Sequence, residues 1–420
     1  MNFLIFEAYT DANVGSCALV ENAIAAVKSR FPNAHIKVMA HRPSYFHSLY
    51  GVDAIADIFK YPFLQTRSKQ ILWLGKTICW MSYCWLLAPL LRTTNRAVSS
   101  LPLRTKLEAF LWADIAISVG AERINDKYFK NIAFSLYTYS LIQRLHRKLV
   151  LFPSTIGPLI FKPSRIATKA VLKRIDLIFT RDELSATIVE NLIGRNSGNL
   201  IRSIDLAILQ SFSRAKGAQK ILPFRAKKAI VGISVMHWSY FKNKVETPFS
   251  NYKAYTKQFA LLADALIDCY KVHIVFYPTN YHTHGCREDD VTAARDVLGQ
   301  MKNKLRTTIV ETLPTPFQLK SMLACSEVNI TTRMHACILS TSSGTPTISV
   351  NYLFKIREYM ESLGLERFSI DIEEFNSEWA LAAFEEMWRE KEKWRSNLAL
   401  VMQSKEKLLS SSLDHLHDLV

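Results

Sequence analysis

Hydrophobic and polar positions follow a repeated pattern along this chain of 420 residues. Short apolar runs of about four to eight residues predict strands, and segments with apolar residues at i, i+3, i+4 and i+7 predict helices. After the first strand, for example, Val20, Ala23, Ile24 and Val27 fall on one helical stripe. Predicted strands cover residues 2–9, 35–39, 114–120, 148–153, 176–180, 229–235, 271–277, 328–332 and 347–350. Strands that alternate with helices in this way predict parallel sheets of the α/β class.

A change of composition divides the chain near its middle. Residues 211–228 are polar and basic and contain Gly217 and Pro223, which is typical of a linker between domains. A chain of this length also exceeds what one hydrophobic core usually serves. We therefore predict two Rossmann-like doubly wound domains, residues 1–215 and 216–420, in the GT-B-like arrangement of many glycosyltransferases. Charged amphipathic helices are predicted over 377–409 at the C-terminal end.

The run 71–91, ILWLGKTICWMSYCWLLAPLL, departs from this pattern because Lys76 is its only charged residue. It is long enough to cross a bilayer, which takes about 20 residues. Three interpretations are open: a helical insertion that is buried or packs on the domain, a helix that docks in the plane of a membrane, and a true span. A span is disfavoured, because the strands on either side would share one sheet and must then lie in one compartment.

The net charge and the cysteine spacing indicate which partners, metal sites and cellular location to expect. The formal net charge of +16 predicts an anionic partner, which can be nucleic acid, acidic lipid or a phosphorylated substrate. Because the basic residues are spread along the chain without RNA-binding or zinc-finger spacing, no nucleic-acid partner is expected. The seven cysteines form no C-x-x-C pair, and no secretory signal precedes them. These features predict a cytoplasmic protein without a cysteine zinc site.

Several loops that follow predicted strands carry residues suited to an anionic ligand. In a parallel sheet the loops after the strands form the ligand site, and helix N-termini there attract anions. Arg333 and His335 follow one strand, Arg181 follows another, and the turn TDANVG after the first strand contains Asn13 and Gly15. Each has an ordinary structural alternative, which for Arg181 is a surface salt bridge worth at most about 1 kcal/mol.

One further loop raises the question of a metal. His282 and His284 lie close in sequence to Asp289 and Asp290. Their spacing is loose for a metal site, so we expect no metal and assign this loop to the polar rim of the ligand site. The two aspartates also suit the start of a helix over 291–305, because carboxylates stabilise helix N-termini.

Residues 331–355, TTRMHACILSTSSGTPTISVNYLFK, resemble the signature of the polysaccharide pyruvyl transferase family. That signature is roughly R-L/M-H-A, small residues, G-x-P, hydrophobic residues and Y-x-x-K. The residues that match it are Arg333, His335, Ala336, Gly344, Pro346, Tyr352 and Lys355.

Other segments resemble the family less closely. STIGP, which contains Gly157, is similar to a conserved turn, and RDELS, which begins at Arg181, is similar to another motif. The sequence departs from the family pattern at Ser16, where the family has Asp. It departs again on either side of Gly120, where Val119 and Ala121 interrupt a glycine run.

The resemblance implies that pyruvate is transferred from phosphoenolpyruvate to a sugar of a polysaccharide, or of its lipid-linked precursor, as a ketal. The donor carries a phosphate and a carboxylate, which guanidinium groups bind in a bidentate way. The reaction also moves protons, which an imidazole can carry near neutral pH. The resemblance thus implies no cofactor besides the donor, His335 and Arg333 as catalytic residues, and a substrate-binding set of Arg181, Lys355, Asn13, Gly15, Gly157 and Tyr352.

Two other functions stay open at this point. A nucleotide-sugar glycosyltransferase of GT-B type would share the architecture, because a fold does not determine chemistry. A catalytically degenerate relative that docks on membranes would explain the departures at Ser16, Val119 and Ala121. For the pyruvyl transferase itself we expect a cytoplasmic location at the inner face of the membrane, where lipid-linked acceptors would be met.

Overall fold

The computed structural model describes residues 1–8, 12–57, 67–91, 104–195, 197–216, 229–237, 252–281 and 289–420. The chain packs into two compact units, each with its own sheet. Unit 1 comprises Met1–Tyr9, Leu19–Leu206 and Leu408–Val420, and unit 2 comprises Thr10–Ala18 and Ala207–Lys407. The division between Leu206 and Ala207 thus falls before the predicted boundary at 215. In addition, Thr10–Ala18 belongs to unit 2 and Leu408–Val420 belongs to unit 1. Residues 217–228 of the predicted linker lie outside the described residues.

Unit 1 is built on a parallel sheet in which the described strands follow the order β3-β2-β1-β4-β6-β7-β8, and β5 pairs with β6. Leu4 and Phe6 of the first strand and Leu149 and Leu151 of the sixth are buried, because a parallel sheet is covered on both faces. The strands are β1 (Asn2–Ala8), β2 (His35–Ala40), β3 (Asp53–Ala56), β4 (Ile115–Ser118), β5 (Ala121–Ile124), β6 (Lys148–Ile156), β7 (Leu177–Thr180) and β8 (Leu200–Arg202).

Helices cover this sheet, and their ends follow local sequence signals. Asp182 caps one of them by accepting a hydrogen bond from the N–H of Ser185 at 2.8 Å, as its sequence position predicts. The helices are α1 (Val14–Arg30), which begins in unit 2, α2 (Pro43–Tyr50), α3 (Arg67–Leu91), α4 (Arg104–Trp112), α5 (Phe129–Arg144), α6 (Lys162–Leu172) and α7 (Glu183–Ile193).

Unit 2 contains a second parallel sheet with the order β11-β10-β9-β12-β13-β14. Counted from its own first strand, this is the doubly wound order 3-2-1-4-5-6, whose direction of winding reverses between β9 and β12. Ligands bind at such a switch point, beyond the carboxyl ends of the strands. The strands are β9 (Ile230–Ser234), β10 (His273–Phe276), β11 (Thr307–Ile309), β12 (Val328–Thr331), β13 (Thr347–Asn351) and β14 (Ser369–Asp371).

The helices of unit 2 begin and end largely where the sequence indicates. Thr315 and Gln318 form a capping box, in which each side chain accepts from the other's backbone N–H. The C-terminal helical region is interrupted at Glu390, so it forms two helices. The helices are α8 (Tyr252–Tyr270), α9 (Asp290–Gln300), α10 (Pro316–Leu323), α11 (Met334–Thr341), α12 (Phe354–Glu361), α13 (Ser377–Arg389) and α14 (Lys391–Leu413).

The apolar run 71–91 lies within α3, between β3 and β4. The helix is long and apolar enough to cross a membrane, judged by length and composition alone. Only 17% of its most apolar window is buried, so the helix is not buried in the core; it packs on α5 of unit 1, as the interpretation of a domain-packing insertion predicts. The physical reason is that α3 packs on unit 1 along a single narrow stripe, which leaves most of its circumference exposed.

Lys320 of α10 is a fully buried lysine. Its ammonium donates hydrogen bonds to the carbonyl oxygens of Ile208 at 3.1 Å and Gln210 at 2.7 Å. These bonds hold residues 208–210 of unit 2 against α10. Burial lowers the pKa of Lys320 from 10.5 to about 7, and the nearby charge of Glu406 opposes that shift.

We predict that the buried amine makes the stability of the chain depend on pH. An unfolded lysine keeps its proton up to about pH 10.4, so between about pH 7 and about pH 10 the unfolded state binds more protons than the folded state. The free energy of unfolding should therefore rise in this window by up to about 1.4 kcal/mol per pH unit from this group. Urea unfolding across that window should show a steeper rise for the wild type than for Lys320→Met.

The exposed Lys257 of α8 supplies the control for this measurement. Lys257→Met should keep the wild-type slope, because this exposed residue can be changed while the buried Lys320 ammonium keeps both of its carbonyl partners. Equal slopes for Lys320→Met and the wild type would show that the buried amine is not the titrating group.

Candidate active site

Arg333 lies at the switch point of unit 2, where it follows β12 and precedes the first turn of α11. Its guanidinium is almost fully buried and forms a bidentate contact with the carboxylate of Asp290, the first residue of α9. Nη2 of Arg333 lies 2.7 Å from Oδ1 of Asp290, and Nε lies 3.1 Å from Oδ2. This fork geometry fixes the orientation of the guanidinium.

Asp290 also accepts hydrogen bonds from the loops that follow β9 and β10. The backbone N–H groups of His237, Thr279 and Asn280 donate to it at 3.4, 3.2 and 3.0 Å, and the Thr279 hydroxyl donates at 3.1 Å. The sequence assigned Asp290 to a helix start and missed this role. The helix does start there, at Asp290 rather than 291, but the carboxylate chiefly joins two strand-end loops, those after β9 and β10, to Arg333.

His335 occupies the first turn of α11 and packs against Gly15 at the start of α1. A Cβ atom placed on Gly15 would lie 2.2 Å from Cγ and Nδ1 of His335 and 2.5 Å from its Cβ. The imidazole therefore uses the space that the missing side chain leaves. As a residue His335 is partly exposed, although its Nε2 atom is buried, and the neighbouring Arg333 is buried as a whole. The structure thus brings together His335, Arg333 and Gly15, three residues that the sequence selected separately.

Asn13 has a structural role in the same turn. Its side chain accepts a hydrogen bond from the N–H of Ser16 at 2.8 Å and so caps α1. The N–H of Val14 donates to the carbonyl oxygen of Thr279 at 3.0 Å, and Asn13 forms a β-bridge with Asn280. Several N–H groups of this turn are therefore used within the protein. The geometry therefore favours a turn that positions Gly15, rather than a turn that binds an anion.

Tyr352 lies in the next loop of the sheet, between β13 and α12, and Lys355 follows it at the start of α12. This loop is adjacent to the Arg333 loop, because β12 and β13 pair in parallel with Thr331 beside Ser349. Lys355 is buried in the first turn of α12, and Tyr352 is partly exposed. The two C-terminal residues of the signature thus belong to the same edge of the sheet as the first two.

Arg181 and Gly157 lie in unit 1. Nη1 of Arg181 contacts Asp205 at 2.5 Å and Nε donates to the Thr155 hydroxyl at 2.9 Å. The predicted alternative of a surface salt bridge is wrong, because both side chains are only 2% exposed. Gly157 has φ of 92°, and its N–H and C=O bond to Ile124 and Asn125 of the same unit. Backbone geometry therefore accounts for this glycine.

Glu7, at the end of β1, is a buried carboxylate that the sequence analysis did not select. It accepts hydrogen bonds from the hydroxyls of Ser118, Ser135 and Tyr139, at 2.5 Å from Ser118 and 2.7 Å from Tyr139. Burial, together with the neighbouring carboxylate, raises the pKa of Tyr139 well above its ordinary value. The sequence does contain an indication of this buried carboxylate, because Glu7 is the one charged residue of a mainly apolar strand.

The loop 282–290, for which we expect no metal, is only partly described. His282 and His284 lie outside the described residues, and Asp289 caps α9 by accepting from the N–H of Val291 at 3.2 Å. Elsewhere in the described part of the chain, no three His, Cys, Asp or Glu side chains come together as a metal site.

Solved structures with the same fold include sugar-nucleotide proteins. MnaA of S. aureus, solved with UDP, gives a TM-score of 0.60 at 10% identity over 100% of this chain and 97% of that chain. UDP-GlcNAc 2-epimerase of Neisseria meningitidis gives 0.59 at 11% identity over 100% and 99%. HepE of Anabaena, solved with UDP-glucose, gives 0.59 at 13% identity over 100% of both chains. Identities this low establish the fold alone, which is α/β with two Rossmann-like domains of GT-B-like type.

The family is established by a separate comparison. The family model for polysaccharide pyruvyl transferase matches residues 13–353, which include Gly15, Arg181, Arg333 and His335. The match covers most of the chain and all of the predicted site residues except Lys355, which lies two positions beyond its end. The chain therefore belongs to the polysaccharide pyruvyl transferase family and is a transferase of polysaccharide pyruvylation.

Proposed function

We propose that this enzyme transfers pyruvate from phosphoenolpyruvate to two hydroxyl groups of one saccharide and forms a ketal. The observation that carries the proposal is the position of His335, which is partly exposed beside an oriented guanidinium at the switch point of unit 2. This is where a doubly wound sheet binds its ligand. Both residues also belong to the segment that resembles the family signature.

The proposed reaction balances without an oxidant or a reductant. The donor methylene carbon gains a proton, and the oxygen of one sugar hydroxyl bonds to the adjacent carbon and loses its proton. The bond from that carbon to the phosphate oxygen then breaks, and the second hydroxyl oxygen takes its place and loses its own proton. One hydroxyl proton balances the proton added to the methylene carbon, and the other leaves with phosphate. Proton transfer and oxyanion binding are sufficient for these steps, so we propose no metal and no cofactor.

We assign the proton transfer to His335. A general acid or base must reach the reacting atoms through its own ring nitrogens, and its neighbours must hold the ring in one orientation. The contact with Gly15 holds the ring from one side, and its place in the first turn of α11 fixes its backbone. A positive helix N-terminus also favours a bound anion beside the imidazole.

We assign the binding of donor oxyanions to Arg333, with Lys355 as a second positive charge at the same sheet edge. The buried contact with Asp290 orients the guanidinium in advance, which reduces the cost of ordering it when a ligand binds. Removing either partner leaves a buried charge alone and costs about 3 to 5 kcal/mol in folding. Alanine variants of Arg333 and Arg181 would therefore test folding as much as binding.

A transfer assay tests the proposed function. The intact chain is incubated with carbon-labelled phosphoenolpyruvate and the saccharide repeat unit of the host polysaccharide. We expect label in the saccharide, a mass increase of one pyruvate ketal and release of one phosphate per transfer. UDP-sugars, which the similar structures contain, serve as the competing donors. Transfer of sugar from a UDP-sugar, or donor binding without any turnover, would contradict the proposal.

His335→Gln should lower turnover by roughly a hundredfold to ten-thousandfold, because glutamine keeps hydrogen-bonding groups but cannot relay a proton near neutral pH. Donor affinity should change much less, since binding is assigned to other residues. Steady-state kinetics together with donor titration of the variant separate the two effects. Wild-type turnover in this variant would show that another residue transfers the proton.

Gly15→Ala should lower turnover at least about tenfold by displacing the His335 ring. Helix propensity alone would make this change favourable by about 1 kcal/mol, but the new Cβ overlaps the imidazole. Gly299→Ala in α9 is the matched control, because a Cβ there meets nothing within 4 Å. In the His335→Gln background, Gly15→Ala should cost little more, since both changes act on one group. Additive losses would show that Gly15 acts independently of His335.

A further inference from the structure

Helix α3 of unit 1 presents a broad apolar surface to solvent. Only 17% of its most apolar window is buried, and Ile71 and Leu86 are 71% and 64% exposed. Further exposed apolar side chains along the helix are Leu72, Leu74, Ile78, Trp80, Tyr83, Trp85 and Leu90. Folded chains rarely expose so large a continuous apolar surface unless something binds to it.

The opposite stripe of α3 holds the helix on unit 1. Thr77, Cys84 and Ala88 are buried, and their spacing places them on one helical face. The hydroxyl of Tyr137, on α5, donates a hydrogen bond to the carbonyl oxygen of Met81 at 2.8 Å. The helix therefore lies along α5 over much of its length.

Trp85 strengthens this attachment near the C-terminal end of α3. Its indole N–H donates to the Ser140 hydroxyl at 3.0 Å, and the Arg144 guanidinium lies 3.8 Å from the ring centroid. Arg144 also donates to the backbone carbonyl of Trp85 at 2.9 Å. Detaching α3 from α5 would break these contacts, so its apolar surface is a fixed feature of the folded unit.

The connections of α3 exclude a span in this fold. The helix lies between β3 and β4, and these strands pair with β2 and β1 of the same sheet. A single crossing of a bilayer would place the two strands on opposite sides. A helix of 25 residues is about 37 Å long, so α3 lying flat offers an extended contact surface.

The charges around α3 are of one sign. Residues 58–107 contain eight Lys or Arg residues and no Asp or Glu. Lys69 and Lys76 lie on α3 itself and are exposed. This distribution favours an anionic partner and disfavours a second copy of the chain, because a symmetric contact would bring two like-charged surfaces together.

We propose that α3 docks in the plane of an anionic lipid bilayer, with its apolar face in the acyl boundary and its lysines at the headgroups. The exposed indole of Trp80 suits the headgroup level, and long lysine side chains reach the same level from a helix lying in the interface. Two weak attractions, one apolar and one electrostatic, would then combine into stable docking. Docking of α3 would place the enzyme on the cytoplasmic face of the membrane, beside lipid-linked saccharide acceptors. This part of the inference rests on the proposed function.

Vesicle flotation of the full chain tests the docking. The wild type should float with vesicles of phosphatidylcholine and phosphatidylserine at low salt, and high salt should release only part of it. Replacing Leu72, Ile78 and Leu86 with Gln should reduce the bound fraction at least about tenfold on the same vesicles. Lys69→Gln with Lys76→Gln should reduce binding about thirtyfold on anionic vesicles and little on neutral ones. The matched control replaces Ile166, Leu305 and Leu400, which lie elsewhere and are more exposed than the three changed residues, and should bind as the wild type does.

Other outcomes identify other occupants of this surface. A wild type that does not float with anionic vesicles at low salt overturns the proposal. If it sediments as a dimer that the Leu72, Ile78 and Leu86 changes dissociate, α3 is instead an interface between copies. Assays with a soluble saccharide separate docking from catalysis, because the α3 variant should keep wild-type turnover there and lose it only with a membrane-borne acceptor. Failure of pyruvate transfer in both assays would concern the proposed function and leave the flotation result unaffected.

Discussion

The candidate site of unit 2 depends on a buried ion pair between Arg333 and Asp290. Each charge alone would be costly to bury, and together they satisfy each other in a fork while Asp290 accepts further backbone N–H groups. The pair thus requires the loops after β9, β10 and β12 to close on one carboxylate. The first turn of α11 and the contact of His335 with Gly15 follow from that closure. Unit 1 contains a similar pair in Arg181 and Asp205, which also follows a strand end.

Much of the fold was predictable from sequence, because parallel strands are buried on both faces and appear as continuous apolar runs. β1, β6 and β9 show this most directly, and the order of the strands along the chain with intervening helices indicates doubly wound sheets. Residues that favour N-cap positions also mark helix starts in the sequence, as at Asp182 and in the capping box of Thr315. Short edge strands such as β11 and β14 have only three residues each and carry no periodic pattern, so they were missed.

The site was predictable in its residues but not in their contacts. The positions of Arg333, His335 and Gly15 follow from strand ends and a signature, whereas the partner of Arg333 lies 43 residues away in sequence. The burial of Lys320 was equally hidden, since its position in a short amphipathic helix gives no hint of the carbonyl groups around it. For α3, composition could not separate a buried helix from an exposed one, because the helix is apolar on all sides. Only its packing on α5 decides between them.

We propose that phosphoenolpyruvate binds at the switch point of unit 2, where Asp290 orients Arg333 and Gly15 positions His335. A crystal structure of the chain with phosphoenolpyruvate tests this most directly. We expect donor density beyond the carboxyl ends of β9 and β12. A phosphate or carboxylate oxygen should lie within hydrogen-bond distance of Arg333, and the methylene carbon should face the His335 ring. Donor density elsewhere, or displacement of the donor by UDP from this same position, would contradict it.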